Sequence, residues 1–345
     1  MRLFPAILVA ATILGAGPPL GAAEIAPAKR PSCDLVLSGE IEDGDVSRLE
    51  AANSAHKPRQ EGYPRLCLNS PGGSYDEALR LIGWLMDTTN VYTVVDKGDE
   101  CYSACSLVFM FGNHNEGDAM ISPRRGLHVG AKLGFHTPHI TPAVDTSRAE
   151  VSAKAYRAGI KAIARLLEID WDNWFPKSLL IEALKREPEE FLFVDTVAKA
   201  ASWGIPLVGF QPPKVVTEAM LEAACLNEAR RESNRWMRRW WGAGDSPTGQ
   251  REAITAPAKP VQFKRRHHRA VFKGFGSEDS YACVVDIYDG GERGYRLDIN
   301  FGDTANDPKI PKPQIGEAVA SSVWNGAPGW YLFRGDTVLR KLQAP

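Results

Sequence analysis

The chain has no surplus of either charge: 41 Lys and Arg stand against 42 Asp and Glu, for a formal net charge of −1. A global electrostatic pull on nucleic acid is therefore excluded as an organising force, and no nucleic-acid partner is expected. No internal repeat is visible. The cysteines lack the spacing of a zinc ribbon or finger, and no metal or other cofactor is expected. The chain also lacks an apolar run that could cross a bilayer, which takes about 20 residues. The run that ends at Leu14 is broken at once by the Gly and Pro residues that follow it, up to Pro19.

That short run follows Arg2 and gives way to small residues, the layout of a secretory signal peptide. Gly21-Ala22-Ala23 fits the cleavage rule, so residues 1–23 are expected to be removed and the protein to be periplasmic or secreted. Export gives the six cysteines a reading: an even count in an oxidising compartment suggests disulfides. Cys33 and Cys67 lie on neighbouring expected strands and are candidates to pair, and Cys225 with Cys283 is another candidate pair. Cys101 and Cys105 are near enough to consider, but Cβ directions across a helical turn suit a bridge poorly.

Strand and helix patterns alternate from residue 33 to about 210, which argues for an α/β domain with a mainly parallel sheet over 24–212. "CDLVLSGEI", "RLCLNS" and "VYTVVDK" read as strands, and "GLHVGAKLGFHTP" as a strand or hairpin. Ser74 with Glu77 makes a capping box for the helix that follows. Residues 213–262 read as a helix and a Gly/Pro/Ala-rich linker. Residues 263–345 read as a small, mainly β domain, with hairpins at "YACVVDIYDGGERGYRLDINFG" and "GWYLFRGDTVLRKL". The basic run "FKRRHHR" reads as a solvated loop, or as a weak contact for anionic lipid or envelope polymer.

Three segments carry chemistry. In "LNSPGGSYDEA" a strand ends and Gly72 and Gly73 precede a capped helix. Such glycines let backbone amides approach a ligand, as in an oxyanion hole, and equally make a tight turn. Ser103 opens an apolar helix in "CYSACSLVFMFG", as a nucleophile with the Ala104 amide beside it or as an ordinary N-cap. His136 closes a Gly-rich strand, where a histidine can serve as the base for a serine; His114, His128 and His139 compete for that role. His136 and His139 have a spacing that could hold a metal, but no third ligand is in register.

Taken together, "NSPGG" (69–73), Ser103, Gly112 nine residues on, and Gly134-Phe135-His136 resemble the Clp-protease/crotonase superfamily, most closely its exported members with a Cys-x-Ser-Ala-Cys segment. The resemblance covers about residues 33–210. It implies Ser103 as nucleophile, His136 as general base, and oxyanion amides from Gly73 or Gly72 and from Ala104. It implies Glu189 as the third, orienting acid, in "EPEEFLFVDTVAKAASWGI", with Glu190 and Asp195 as neighbours. It also implies a peptide or unfolded-protein substrate, and a homo-oligomer of no fixed number. A Ser-Lys dyad would call on Lys132 or Lys97, in poorer motif context. The segment from Ser103 to His136 carries an insertion, "NHNEGDAMISPRRG", which is a lid or a surface excursion. The expected function is an exported, ATP-independent serine hydrolase. The alternative is a catalytically inactive binding or scaffold protein on the same fold, with an acyl-CoA enzyme behind both.

Overall fold

The computed structural model describes residues 23–56, 63–115, 117, 121–137, 149–169, 174–187, 189–235, 254–275, 281–291, 295–303 and 327–343. The expected signal peptide up to residue 22, and His139, lie outside them. Strands β1 (Glu24–Pro27), β2 (Leu35–Ser38), β3 (Arg65–Asn69) and β4 (Tyr92–Val95) are interleaved with helices α1 (Asp45–Ala55) and α2 (Tyr75–Thr88). Next come β5 (Glu100–Tyr102), α3 (Ala104–Met110), β6 (Asn113–Asn115), β7 (Ile121–Pro123), β8 (Arg125–His128) and β9 (Lys132–Phe135). Then follow α4 (Ala149–Ile169), α5 (Lys177–Leu184), β10 (Leu192–Phe193), α6 (Val197–Ser202) and β11 (Leu207–Val208).

One sheet runs β1-β2-β3-β4-β8-β11 and is parallel except at its edge strand β1. A second sheet runs β10-β9-β5, with β5 and β9 parallel and β10 antiparallel. The stretch expected as a strand or hairpin is therefore not one hairpin: its two short strands, β8 and β9, serve different sheets. Helix α3, "ACSLVFM", carries no charge and is enclosed by α2 and both sheets, as its composition requires. Its end is held by the buried Arg125, which donates to the carbonyls of Met110, Trp174, Trp203 and Gly204. Two of these lie at the carboxyl ends of α3 and α6, where orphan carbonyls favour a cation.

Ser74 caps α2 by accepting from the Glu77 amide at 3.2 Å. The expected reciprocal half of the capping box does not form. The buried Glu77 carboxylate instead accepts from the Val46 amide at 2.7 Å and from Arg80, which fastens the start of α2 to α1.

A third sheet, β12 (His267–Phe275), β13 (Tyr281–Asp289) and β14 (Tyr295–Asp303), is separate and antiparallel, with the expected β13–β14 hairpin. Helix α7 (Glu218–Arg235) is tied to it by the Cys225–Cys283 disulfide. Residues 254–262, expected to be linker, are fastened to α7: the buried Glu222 carboxylate accepts from the Thr255 and Ala256 amides. "GWYLFRGDTVLRKL" is not a hairpin. It makes two 3-10 turns, Gly329–Leu332 and Leu339–Leu342, whose apolar side chains are buried. Its Gly335 and Thr337 carbonyls accept from the first-turn amides of α6, so this segment caps the α/β unit.

Cys33 and Cys67 form a second bridge, with Cα atoms 5.6 Å apart. With the third, described below, the bridges suit an oxidising compartment. No helix among the described residues is long and apolar enough to cross a membrane.

Candidate active site

The candidate residues gather where the parallel strands end, the usual place for a site in an α/β sheet. Ser70 donates from its amide to the Glu100 carbonyl and accepts from the Tyr102 amide, which stitches the end of β3 to β5. Gly72 and Gly73 follow, with φ of +109° and +134°. A Cβ on Gly72 would stand 2.6 Å from the Ser103 Cβ and 3.2 Å from the Ala104 amide nitrogen. A Cβ on Gly73 would stand 2.3 Å from the Ile41 carbonyl oxygen. Both positions therefore need glycine, and the Pro-Gly-Gly turn lies directly against Ser103.

Ser103 has φ 55° and ψ −125°, a backbone region that costs a non-glycine residue about 1–3 kcal/mol. Three hydrogen bonds hold it there. Its amide donates to Gly134 at 3.1 Å, and its carbonyl accepts from the Ser106 amide at 3.0 Å and the Ser106 hydroxyl at 2.6 Å. Ser103 occupies the N-cap position of α3 but caps nothing, and its hydroxyl makes no hydrogen bond among the described residues. The N-cap reading thus fails on geometry.

Cys101 and Cys105 bracket this serine in a disulfide with Cα atoms 5.3 Å apart. The objection from helical Cβ directions does not apply, because Cys101 is a strand residue of β5 and only Cys105 lies in α3.

His136 follows β9 as Ser103 follows β5, and the two strands pair in parallel with Tyr102 opposite Gly134. Neighbouring strands lie about 4.8 Å apart, so the two residues sit at adjacent strand ends. The His136 ring meets the edge of Phe191 at 4.9 Å between centroids, and its Nδ1 is shielded from solvent. The segment carrying Glu189 and Glu190 leads into β10, which pairs antiparallel with β9 and sets Leu192 opposite Phe135. Both glutamates are exposed, and neither carboxylate is bonded to a described residue. Asp195 is taken by Lys199 at 2.8 Å. The fold brings Ser103, His136 and the Glu189 segment onto three neighbouring strand ends without linking Ser103 to His136, or Glu189 to His136, by hydrogen bonds. Catalytic hydrogen bonds are often long or open before substrate binds.

The competitors have structural roles. His128 accepts the Gly130 amide at Nδ1, 3.0 Å away, and its ring fills the space beside Gly209, where a Cβ would be 2.0 Å from it. Burial holds its pKa below the usual histidine value. His114 packs edge-on against Tyr63 at 4.9 Å. It belongs to the hairpin of β6 and β7, the described part of the insertion, which starts beside Val91 at the amino end of β4. The described strands of that hairpin lie at the amino end of β4, away from the strand ends that carry Ser103 and His136. Lys132 is paired with Glu100 at 2.6 Å, and Lys97 is exposed. A hollow lined by Asn53, His56, Tyr63 and Asn90 lies at the opposite, amino-terminal ends of the strands.

Of the two candidate oxyanion glycines, Gly72 spends its amide on Ser70 Oγ at 3.1 Å, whereas the Gly73 amide has no acceptor among the described residues. The Ala104 amide opens α3, where first-turn amides lack intrahelical acceptors. Cys33, Cys67 and Asp96 cluster at metal-binding distance, but the two sulfurs are bonded to each other and are not available as ligands. Sequence reasoning missed Ser70, Ser106 and Phe191; only the spacing of Ser106, three residues after Ser103, could have signalled its role. Searches against family models and curated proteins find no match for this chain.

Proposed function

We propose that this chain is an exported, ATP-independent serine hydrolase, acting on peptides or unfolded segments, on a Clp/crotonase-like scaffold. The observation that carries the reading is Ser103. It is held in a costly backbone conformation, against a glycine turn, with a hydroxyl that makes no hydrogen bond among the described residues. Strain of this kind persists only where the surrounding structure over-determines it, and it clusters at active sites.

In this reading Ser103 Oγ attacks a substrate carbonyl carbon and His136 takes its proton, later returning it to the leaving amine. The Gly73 and Ala104 amides hold the oxyanion. A carboxylate of the Glu189 segment orients the imidazolium, once that side chain turns inward from solvent. Export removes the chain from ATP-driven unfoldases, hence the restriction to unstructured substrates. Tight backbone approaches support the comparison with the Clp-like family: Gly112, nine residues after Ser103, would place a Cβ 2.2 Å from Thr93 Oγ1.

The second reading, a binding protein with a degenerate site, is favoured by the exposed Glu189 and by the lack of a hydrogen bond between Ser103 and His136. A fluorophosphonate probe separates the two. Labelling of the wild type that is lost in both Ser103→Ala and His136→Ala supports the hydrolase. An unlabelled, folded wild type selects the binding protein.

A further inference from the structure

We infer that the Cys101–Cys105 disulfide is the positioning device for the nucleophile, so that the site is assembled only in the oxidised chain. The inference rests on the reading of Ser103 as nucleophile. The bridge closes the smallest disulfide ring in the protein, with a sequence separation of 4 against 34 and 58 for the other two. Short loops restrict the unfolded chain least, so global stabilisation is not what distinguishes this bridge. Its ring holds only three interior residues, and the central one is Ser103 with its positive φ.

One end of the ring is fixed by pairing of Cys101 with Leu133 in β9, the strand that leads to His136. The other end is fixed in α3, and both cysteines are fully buried. Between these fixed points the chain must turn from strand to helix within three residues. Opening the ring removes the covalent tie across Tyr102, Ser103 and Ala104, the residue before the nucleophile, the nucleophile and one oxyanion donor, and leaves only hydrogen bonds to hold Ser103 in its costly conformation. Reduction by a dithiol would put two electrons and two protons onto the bridge, giving two thiols and a cyclic disulfide of the reductant. In a reducing compartment the hydrolase would therefore be latent; after export a disulfide-bearing oxidant, itself reduced to a dithiol by the two electrons and two protons, would re-form the bridge and switch it on. Cys101 and Cys105 act through Ser103 and touch no substrate.

The test is the rate of fluorophosphonate labelling in a Cys101→Ala/Cys105→Ala variant, beside wild type and a Cys33→Ala/Cys67→Ala control. The expected result is labelling at least tenfold slower in the first variant with its melting temperature changed little. The control should show the reverse, a lower melting temperature at the wild-type labelling rate. Backbone chemical shifts of Ser103 should move from positive-φ to ordinary values in the first variant. If that variant does not fold, wild type is treated with dithiothreitol and alkylated, and loss of labelling should track modification of Cys105 rather than of Cys33 or Cys225. Labelling at the wild-type rate without the bridge, or a Ser103 signal that does not move, overturns the inference while leaving the nucleophile reading intact. A wild type that is never labelled overturns both.

Discussion

Ser103 and Asp286 each sit at the centre of a polar cluster, and the two clusters are built in opposite ways. Asp286, on the central strand β13, accepts from Arg269 Nε at 2.8 Å and Nη2 at 2.7 Å, and lies 2.7 Å from His267 Nε2. Burial pushes its carboxyl up, but these partners outweigh burial and leave the pKa below the usual carboxylate range. His267 stacks on Tyr288 at 4.8 Å, and Arg296 closes on Asp298 at 2.8 Å. These groups are spent on their neighbours, and none of the residues that carry them has a positive φ. At Ser103 the backbone is strained and the hydroxyl is left over. Mutual satisfaction builds a stable surface; chemistry needs a group held in place for something else.

The sharpest test of this contrast is at Ser103. Ser103→Ala should abolish labelling, a loss of more than about a thousandfold, and change stability by less than about 0.5 kcal/mol, read from a urea midpoint. Ser103→Gly should be equally inactive yet about 1 kcal/mol more stable, because glycine tolerates the positive φ. A destabilised Ser103→Gly would mean that the serine is structural after all. Next in size is Gly72→Ala, whose new Cβ would press on the Ser103 Cβ at 2.6 Å with φ at +109°. It should cost about 2–3 kcal/mol and most of the labelling. On the other side of the comparison, Asp286→Ala should cost about 1–3 kcal/mol by stranding Arg269 and His267, with labelling unchanged.

The sequence made the alternating strands and helices legible because their apolar residues repeat at the spacing of buried faces, as Ala78, Leu81, Ile82 and Leu85 do in α2. The strand-end positions of Gly73 and His136 were legible because tight turns demand particular residues, and Ser103 was legible as the start of α3 but not as the end of β5. What could not be read was how side chains meet across the fold. Glu77 has the right spacing for a capping box, but Val46, far along the chain, wins its carboxylate. Cys101 and Cys105 looked like a helical pair, and only the structure shows that the first is a strand residue. The 3-10 turns near the carboxyl end read as strands because Trp330, Tyr331 and Leu332 are β-formers. Their burial against the rest of the protein decides otherwise.

The smallest expected effect concerns a histidine whose role is structural. The pKa of His128 in the folded chain lies below the usual histidine value because burial disfavours its charged form, the strongest influence on it, with Asp96 opposing and Lys97 adding to the effect. In the unfolded chain it titrates near pH 6.5. Above that pH it is neutral in both states and its contribution to stability is complete. As pH falls below about 6.5 the unfolded chain binds a proton that the folded chain refuses, so stability declines until the folded value is reached. The slope cannot exceed about 1.4 kcal/mol per pH unit for one proton. Asp286, with its lowered pKa, loses its contribution only as pH falls below the unfolded carboxylate value, about 3.9, so the two windows are separate. His128→Asn keeps an oxygen to accept the Gly130 amide and should flatten the melting curve between pH 7 and 5. An unchanged slope in that variant would assign the acid sensitivity elsewhere, and His128 would return to the field of candidate bases beside His136.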